Sequence, residues 1–272
     1  MKFSITLFSF FLICISFFAC TDSNSSKEKE AEKGETIQKL SAKLQFAKSV
    51  EDIHKKERFL EEDFVSYQIT YKFGNLEDVL TVKAATDLSR VEIASKNFGK
   101  SYYNGQSIYM DASANMGDRE AKRNFQMVFF YHSFFHISEE AYELYPIEET
   151  TFLDQKFKEV KIKNEGFHLA FFPMQATFLV EDRTHMMKGL ELSTSLLGND
   201  RDVKEVQLHY DRFITVNHVP VSLNWKFYPK NEVDENSILG EAQVTKIKYY
   251  TAEQLQLKIP ENANAIKNAP IL

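Results

Sequence analysis

Phe64-Val-Ser-Tyr-Gln-Ile-Thr-Tyr-Lys-Phe73 is the stretch that decides the fold. Val65, Tyr67, Ile69, Tyr71 and Phe73 alternate with Ser66, Gln68, Thr70 and Lys72, a period of two in β-branched and aromatic residues. Successive side chains of an extended chain point to opposite faces, so this pattern buries one face and leaves the other to water. It predicts a half-buried antiparallel strand. The alternation returns at Val203-Lys-Glu-Val-Gln-Leu-His-Tyr-Asp-Arg-Phe213 and at Val219-Pro-Val-Ser-Leu-Asn-Trp-Lys-Phe227.

Working outward, further strands are expected at residues 78–84, 89–95, 100–104, 107–111, 151–163, 167–172, 177–182, 187–193, 204–214, 219–228 and 238–249. Asn104-Gly105 separates two of them, a dipeptide that tolerates the positive φ angles of a tight hairpin. Two segments carry a different period. After Thr36, a candidate N-cap, Ile37, Leu40, Leu44, Ala47 and Val50 recur every three or four residues and predict an amphipathic helix over 37–57. Residues 118–137 lack Gly and Pro, open on charged helix formers and then become apolar almost all round: Phe125, Met127, Val128, Phe129, Phe130, Tyr131, Phe134, Phe135. Such a helix must be covered on most sides or lie over something apolar. The expected class is mainly β with helices (α+β): a large curved antiparallel sheet or unclosed β-barrel of about ten strands, with helices over the concave face.

The first twenty residues, MKFSITLFSFFLICISFFAC, hold one basic residue, Lys2, an apolar run from Ile5 to Ala19 broken only by Thr6, Ser9 and Ser16, and then Cys20. The run is shorter than the roughly 20 residues that span a bilayer, and a polar, acidic segment follows it. It resembles a lipoprotein signal: Ala19 is the small residue before the cysteine, while Phe17 replaces the usual Leu. The expectation is lipidation of Cys20, with a plain cleaved secretion signal or an uncleaved anchor as the alternatives. Thr21 follows in place of an inner-membrane-retaining Asp, so the periplasmic face of the outer membrane is the default. Asp22 and the acidic tract that follows leave the cell surface open. Residues 20–35 contain almost nothing to bury and read as a disordered tether. One domain is expected over 36–260 and an irregular tail over 261–272.

Composition narrows the function by exclusion. Both cysteines, Cys14 and Cys20, lie in the leader, so the domain offers no disulfide, redox or thiol-metal chemistry. The formal charge of −6 gives no electrostatic case for nucleic acid. His132-Ser-Phe-Phe-His136 has the i, i+4 spacing of many zinc sites, but Ser133 stands where a catalytic Glu would, and the pair reads as polar positions on the exposed side of the helix. His185 and His209 read as surface or capped histidines. Glu61-Glu62-Asp63 and Glu148-Glu149 read as solvated turns, since glycosidase carboxylates come from separate segments. No nucleophile elbow, phosphate loop or dinucleotide fingerprint is present among nine glycines. No catalytic residue, metal or cofactor is assigned, and no motif names a protein partner.

Tyr103-Asn-Gly-Gln-Ser-Ile-Tyr-Met-Asp111, Arg123-Asn-Phe-Gln-Met-Val-Phe-Phe-Tyr131, His218-Val-Pro-Val-Ser-Leu-Asn-Trp-Lys-Phe-Tyr228 and Ile238-Leu-Gly-Glu-Ala-Gln-Val-Thr-Lys-Ile-Lys248 together resemble an uncharacterised family of Bacteroidetes-type lipoproteins. His132 departs from it, standing where the family has an aromatic residue. That family is similar to the LolA and LppX group of periplasmic lipid carriers. The resemblance implies an unclosed β-barrel with helices across its mouth, and membrane attachment through the N-terminal lipid. On this reading Phe125, Met127, Phe129, Phe130, Phe134 and Phe135 line an apolar cavity for a lipid or acyl chain. The alternative is that the same helix is core, and the protein a non-catalytic scaffold subunit of an envelope complex; a hydrolase would need His and carboxylate groups converging in a cleft.

Overall fold

A computed structural model describes residues 42–152, 155–164, 173–194, 204–230 and 236–266. Cys20, the tether, the Thr36 cap and the strand expected at 167–172 lie outside these residues. The first helical segment is α1, residues 42–53. It does not run on to 57: Lys55 adopts left-handed φ, 61°, and the chain restarts as α2, Lys56–Leu60. The break has a tertiary cause, because the His54 ring turns inward and its Nε2 accepts the Met187 N–H at 3.1 Å.

The strands are β1 (Phe64–Phe73), β2 (Leu76–Ala85), β3 (Val91–Ser95), β4 (Gly99–Tyr103) and β5 (Ile108–Met110). Helix α3 (Asp118–His132) follows, continued by a 3-10 turn at Ser133–Phe135. Then come β6 (Tyr142–Leu144), β7 (Glu148–Phe152), β8 (Gln155–Asn164), β9 (Gln175–Glu181), β10 (Met187–Thr194), β11 (Lys204–Val216), β12 (Val219–Pro229), β13 (Gly240–Tyr250) and β14 (Asn264–Ala265). All belong to one sheet of fourteen strands in the order β14-β5-β4-β3-β2-β1-β13-β12-β11-β10-β9-β8-β6, with β7 beside β8. The expectation of about ten strands is therefore too low. What was read as one strand at 151–163 includes a hairpin, β7 with β8, and the short β6 and β14 were not foreseen. Within the tail read as irregular, Asn264 and Ala265 pair with Met110 and Tyr109.

β1 buries the residues its period selects: Val65, Tyr67, Ile69, Tyr71 and Phe73 are all 5% exposed or less. It lies between β2 and β13, and where β13 begins, Gly240 sits opposite Phe73. A Cβ on Gly240 would lie 2.0 Å from the Phe73 ring, so only glycine lets the two strands approach here. Further along, the register between β1 and β13 slips by one residue after Thr245, and Lys246 takes φ 55° there, a bulge that bends the strand.

Curvature follows from what α3 touches. Phe125 meets Tyr103 of β4, while Ser133, eight residues on, hydrogen-bonds Tyr210 of β11. Eight helical residues advance about 12 Å, whereas the six strand spacings from β4 to β11 span about 29 Å if laid flat. The sheet must wrap around the helix. It stays unclosed, with β14 and β6 at its two ends.

Candidate functional site: the aromatic helix and the sheet face it crosses

The N-terminus of α3 is closed by Glu120, whose carboxylate accepts the Gly117 N–H at 3.1 Å. From Arg123 to His132 every residue of the helix is buried. Phe125, Met127, Phe129, Phe130 and Phe135 are 0% exposed and Phe134 is 2% exposed. On the sheet side, Phe130 packs edge-on against Trp225 at 6.3 Å and tilted against Phe227 at 5.5 Å, and Tyr131 stacks on Tyr67 at 3.9 Å. Phe134 meets Tyr210 at 4.6 Å. On the opposite side, α1 and α2 cover the helix end: Phe59 stacks on Phe135 at 3.9 Å and 5°, and His54 stacks on Phe134 at 4.5 Å. All six residues expected to line a cavity thus belong to one continuous hydrophobic core. The structure brings them together, and in this arrangement side chains occupy the space between helix and sheet.

Polar groups fasten the assembly at the helix's C-terminal end. The Phe130 carbonyl, one of the last of α3, accepts from the Tyr210 hydroxyl at 2.9 Å and the Ser133 hydroxyl at 3.1 Å, satisfying a group that a helix end leaves unpaired. Glu51 of α1, 3% exposed, accepts from the Ser138 N–H and hydroxyl at 2.8 and 2.6 Å and from Lys56 at 3.2 Å. Lys56 also reaches Glu139 at 3.1 Å. The His136 hydrogen bond, with the charges of His136 and Lys56, holds the Glu139 carboxyl down at about 2 against the contrary effect of burial.

Between these anchors the core contains polar atoms without partners. Among the described residues, Tyr67 Oη, Arg123 Nη2, Asn124 Nδ2, both ring nitrogens of His132 and Trp225 Nε1 are buried and make no hydrogen bond. The two histidines read from sequence as an exposed pair are in fact inside: His132 is 0% exposed and His136 5%. The helix has no solvent face here, because α2 and the sheet cover both sides. Burial drives the His132 imidazole well below its usual range, so it is neutral. Among the described residues no group of three His, Cys, Asp or Glu is placed to hold a metal.

The carboxylate clusters are structural. Glu62 accepts from Arg58 at 2.8 Å and from Asn217 at 2.7 Å, and Asp63 accepts the Ala252 N–H at 2.7 Å. These contacts bridge a seam, since β12 and β13 pair only over Asn224–Phe227 and Gly240–Gln243 and part beyond. Helix α2 packs beside β12 and sets Phe59 edge-on to Tyr249 of β13, at 6.1 Å, so it covers the opening. Glu148 pairs with Lys161 at 2.5 Å on the outer side.

Three cavities lined by described residues include no residue of α3 in their walls. One of about 230 Å³ involves Lys161, Glu191, Glu205 and Lys230. Burial, in the company of Glu159 and Glu205, raises the Glu191 carboxyl. A second, about 400 Å³, lies between Arg90, Tyr102 and the Leu257–Ile259 segment, and a third, about 410 Å³, is bordered by Lys72, Glu77, Lys226 and Glu241. Sequence reasoning missed His54 and gave Arg123 no role; the available signal for the latter was its place as the last cation before the apolar helical run.

No helix among the described residues is long and apolar enough to cross a membrane. No family model matches the sequence, and no curated protein matches it. Among solved structures the chain is similar to a DUF1329 family protein from Desulfovibrio piger, at 9% identity over 80% of this chain and 99% of that one, TM-score 0.47. It is similar to a LolA superfamily protein from Nitrosomonas europaea, at 11% identity over 75% and 98%, TM-score 0.47. An outer membrane lipoprotein-sorting protein domain from Vibrio parahaemolyticus matches at 8% identity over 79% and 96%, TM-score 0.44.

Proposed function

We propose that the protein is a non-catalytic binding module of the cell envelope, tethered to the outer membrane through a lipidated Cys20, that takes an apolar ligand such as an acyl chain between α3 and the concave face of the sheet. Phe125, Met127, Phe129, Phe130, Phe134 and Phe135 are the ligand-facing residues. Because they fill the space now, a chain enters by displacing α3 from the sheet, and it keeps both surfaces dry by lying between them. Burial of its apolar area, about 25 cal/mol per Å² before ordering costs, drives the exchange.

One observation carries this reading: the unpartnered polar atoms of Arg123, Asn124 and His132 on a helix otherwise built as core. Buried donors and acceptors in a settled core are nearly always paired, and each unpaired one costs about 1–3 kcal/mol. A helix that carries them is suited to leaving its seat.

A second reading, a tethered scaffold whose helix is simply the filling of the sheet, is favoured by the 0–2% exposure of the six residues. Native mass spectrometry of the full chain released from membranes separates the two. The binding module retains a stoichiometric apolar mass that organic extraction removes, with a fall in Tm. Absence of any bound lipid, with Tm unchanged by extraction, leaves the scaffold.

A further inference from the structure

Arg123 is buried to 4% exposure, yet it makes a single hydrogen bond among the described residues, from Nε to the Tyr71 hydroxyl at 3.2 Å, and no ion pair. Its guanidinium lies over the rings of Tyr71 and Phe98, 5.9 and 5.6 Å from their centroids. Those rings fix its plane without neutralising its charge. Nη2 is buried with no acceptor, and so is Nδ2 of the adjacent Asn124, itself 0% exposed. The carboxylates whose charge reaches Tyr71 are Asp78 and Glu120, and neither forms an ion pair with the guanidinium: Asp78 accepts from the Ser95 hydroxyl at 2.5 Å and from the N–H groups of Val79 and Asn97, and Glu120 takes the Gly117 N–H. A charged group taken out of water without a counter-charge is costly, and here the chain supplies none in contact.

We propose that Arg123 and Asn124, positioned by Tyr71, form a subsite for an anionic carboxylate or phosphate group, the head of a single-chain amphiphile whose tail runs along α3. The inference rests on the reading of α3 as a ligand-binding element. Arginine's planar fork matches a carboxylate or phosphate. Position agrees with such a ligand. Tyr71 precedes the β1–β2 turn and Phe98 sits in the β3–β4 turn, which an antiparallel meander places at the same end of the sheet. The aromatic residues from Phe125 to Phe135 continue inward from there, so the head is held near the rim and the tail in the apolar interior.

Trp225 supplies the readout. It is the sole tryptophan, 1% exposed, with its ring against Phe130. Dibromostearic acid and its uncharged methyl ester are titrated into the full chain held in amphipol, and quenching of Trp225 is followed. The acid is expected to bind about 10- to 100-fold tighter than the ester, the range of charge-assisted hydrogen bonds. Arg123→Met should bring the acid to the ester's affinity and leave the ester unchanged. Equal binding of acid and ester overturns the subsite while leaving α3 as a binding element. Quenching by neither overturns the underlying reading as well. Inorganic phosphate and acetate, each alone, are tested by thermal unfolding. A rise in Tm as large as that given by the acid, lost in Arg123→Met, would mean a free-anion site and overturn the amphiphile. Should Arg123→Met lose its circular dichroism spectrum, the acid-to-ester ratio of the unaltered protein decides alone.

Discussion

Acid should unfold this protein through two histidines held neutral in its core, and His132→Leu should remove one of them from the titration. His132 and His54 are both 0% exposed. Burial is the main cause that lowers each, His54 to about 3 with help from Lys188, and His132 well below its usual range with help from His136. A folded pKa below the unfolded value of about 6.5 means that the unfolded chain takes the proton first. Stability is therefore complete above pH 6.5 and falls as the pH drops below it. Each group contributes a slope of about 1.4 kcal/mol per pH unit, and for His54 the loss accumulates to about 5 kcal/mol by pH 3. Protonation of His54 also turns its Nε2 from an acceptor of the Met187 N–H into a competing donor. Half-buried His209 adds in the same sense, and Glu191, raised by burial, opposes it. The difference between variants isolates His132. Leucine fills a similar volume without two unpartnered nitrogens, so at pH 7.5 His132→Leu should be neutral or more stable by about 1–2 kcal/mol. Below pH 6.5 its stability should fall less steeply than that of the unaltered protein, because one proton fewer is taken up on unfolding. Urea denaturation followed by Trp225 fluorescence at pH 7.5, 6, 5 and 4 measures both. An unchanged slope, or a loss above about 2 kcal/mol at pH 7.5, would show that the ring nitrogens have partners in solution and refute the reasoning.

Two further substitutions test how the helix and sheet are joined. Gly240→Ala sets a Cβ against the Phe73 ring and 2.6 Å from the Lys72 carbonyl; overpacking of this kind should cost about 1–3 kcal/mol in urea denaturation, and Phe73→Leu in the same chain should recover part of it. Tyr210→Phe removes the hydroxyl bonds to the Phe130 carbonyl and Ser133 and should cost about 1–2 kcal/mol, with faster amide exchange confined to the end of α3.

The parts of this architecture that a reader of the sequence can find are those whose own side chains state their environment. β1 and β12 announce one wet and one dry face by alternation, and α3 announces that it has almost no wet face at all. Short elements carry no such statement. β14 has two residues and exists because β5 offers an unpaired edge, and β6 is likewise made by β8. Leu153 and Asp154, the two residues between β7 and β8, include neither Gly nor Pro to mark the break in the strand pattern. The break of the first helix at Lys55 comes from a distant partner, Met187, which no local pattern contains. The misreading of His132 and His136 has the same origin and the larger consequence. Two imidazoles at i and i+4 look like a polar stripe only if that stripe meets water, and here α2 and β1 reach it from both sides, with Phe59 and Tyr67 facing the His132 ring. What sequence could register is an inconsistency: Arg123, Asn124, Gln126 and His132 occupy a helix whose other side chains demand complete burial. Periodicity treats such residues as exceptions to be placed outside, and the fold places them inside. The polar positions that fit the pattern least, Arg123 and Asn124 among them, are therefore the ones on which the proposed ligand subsite is tested.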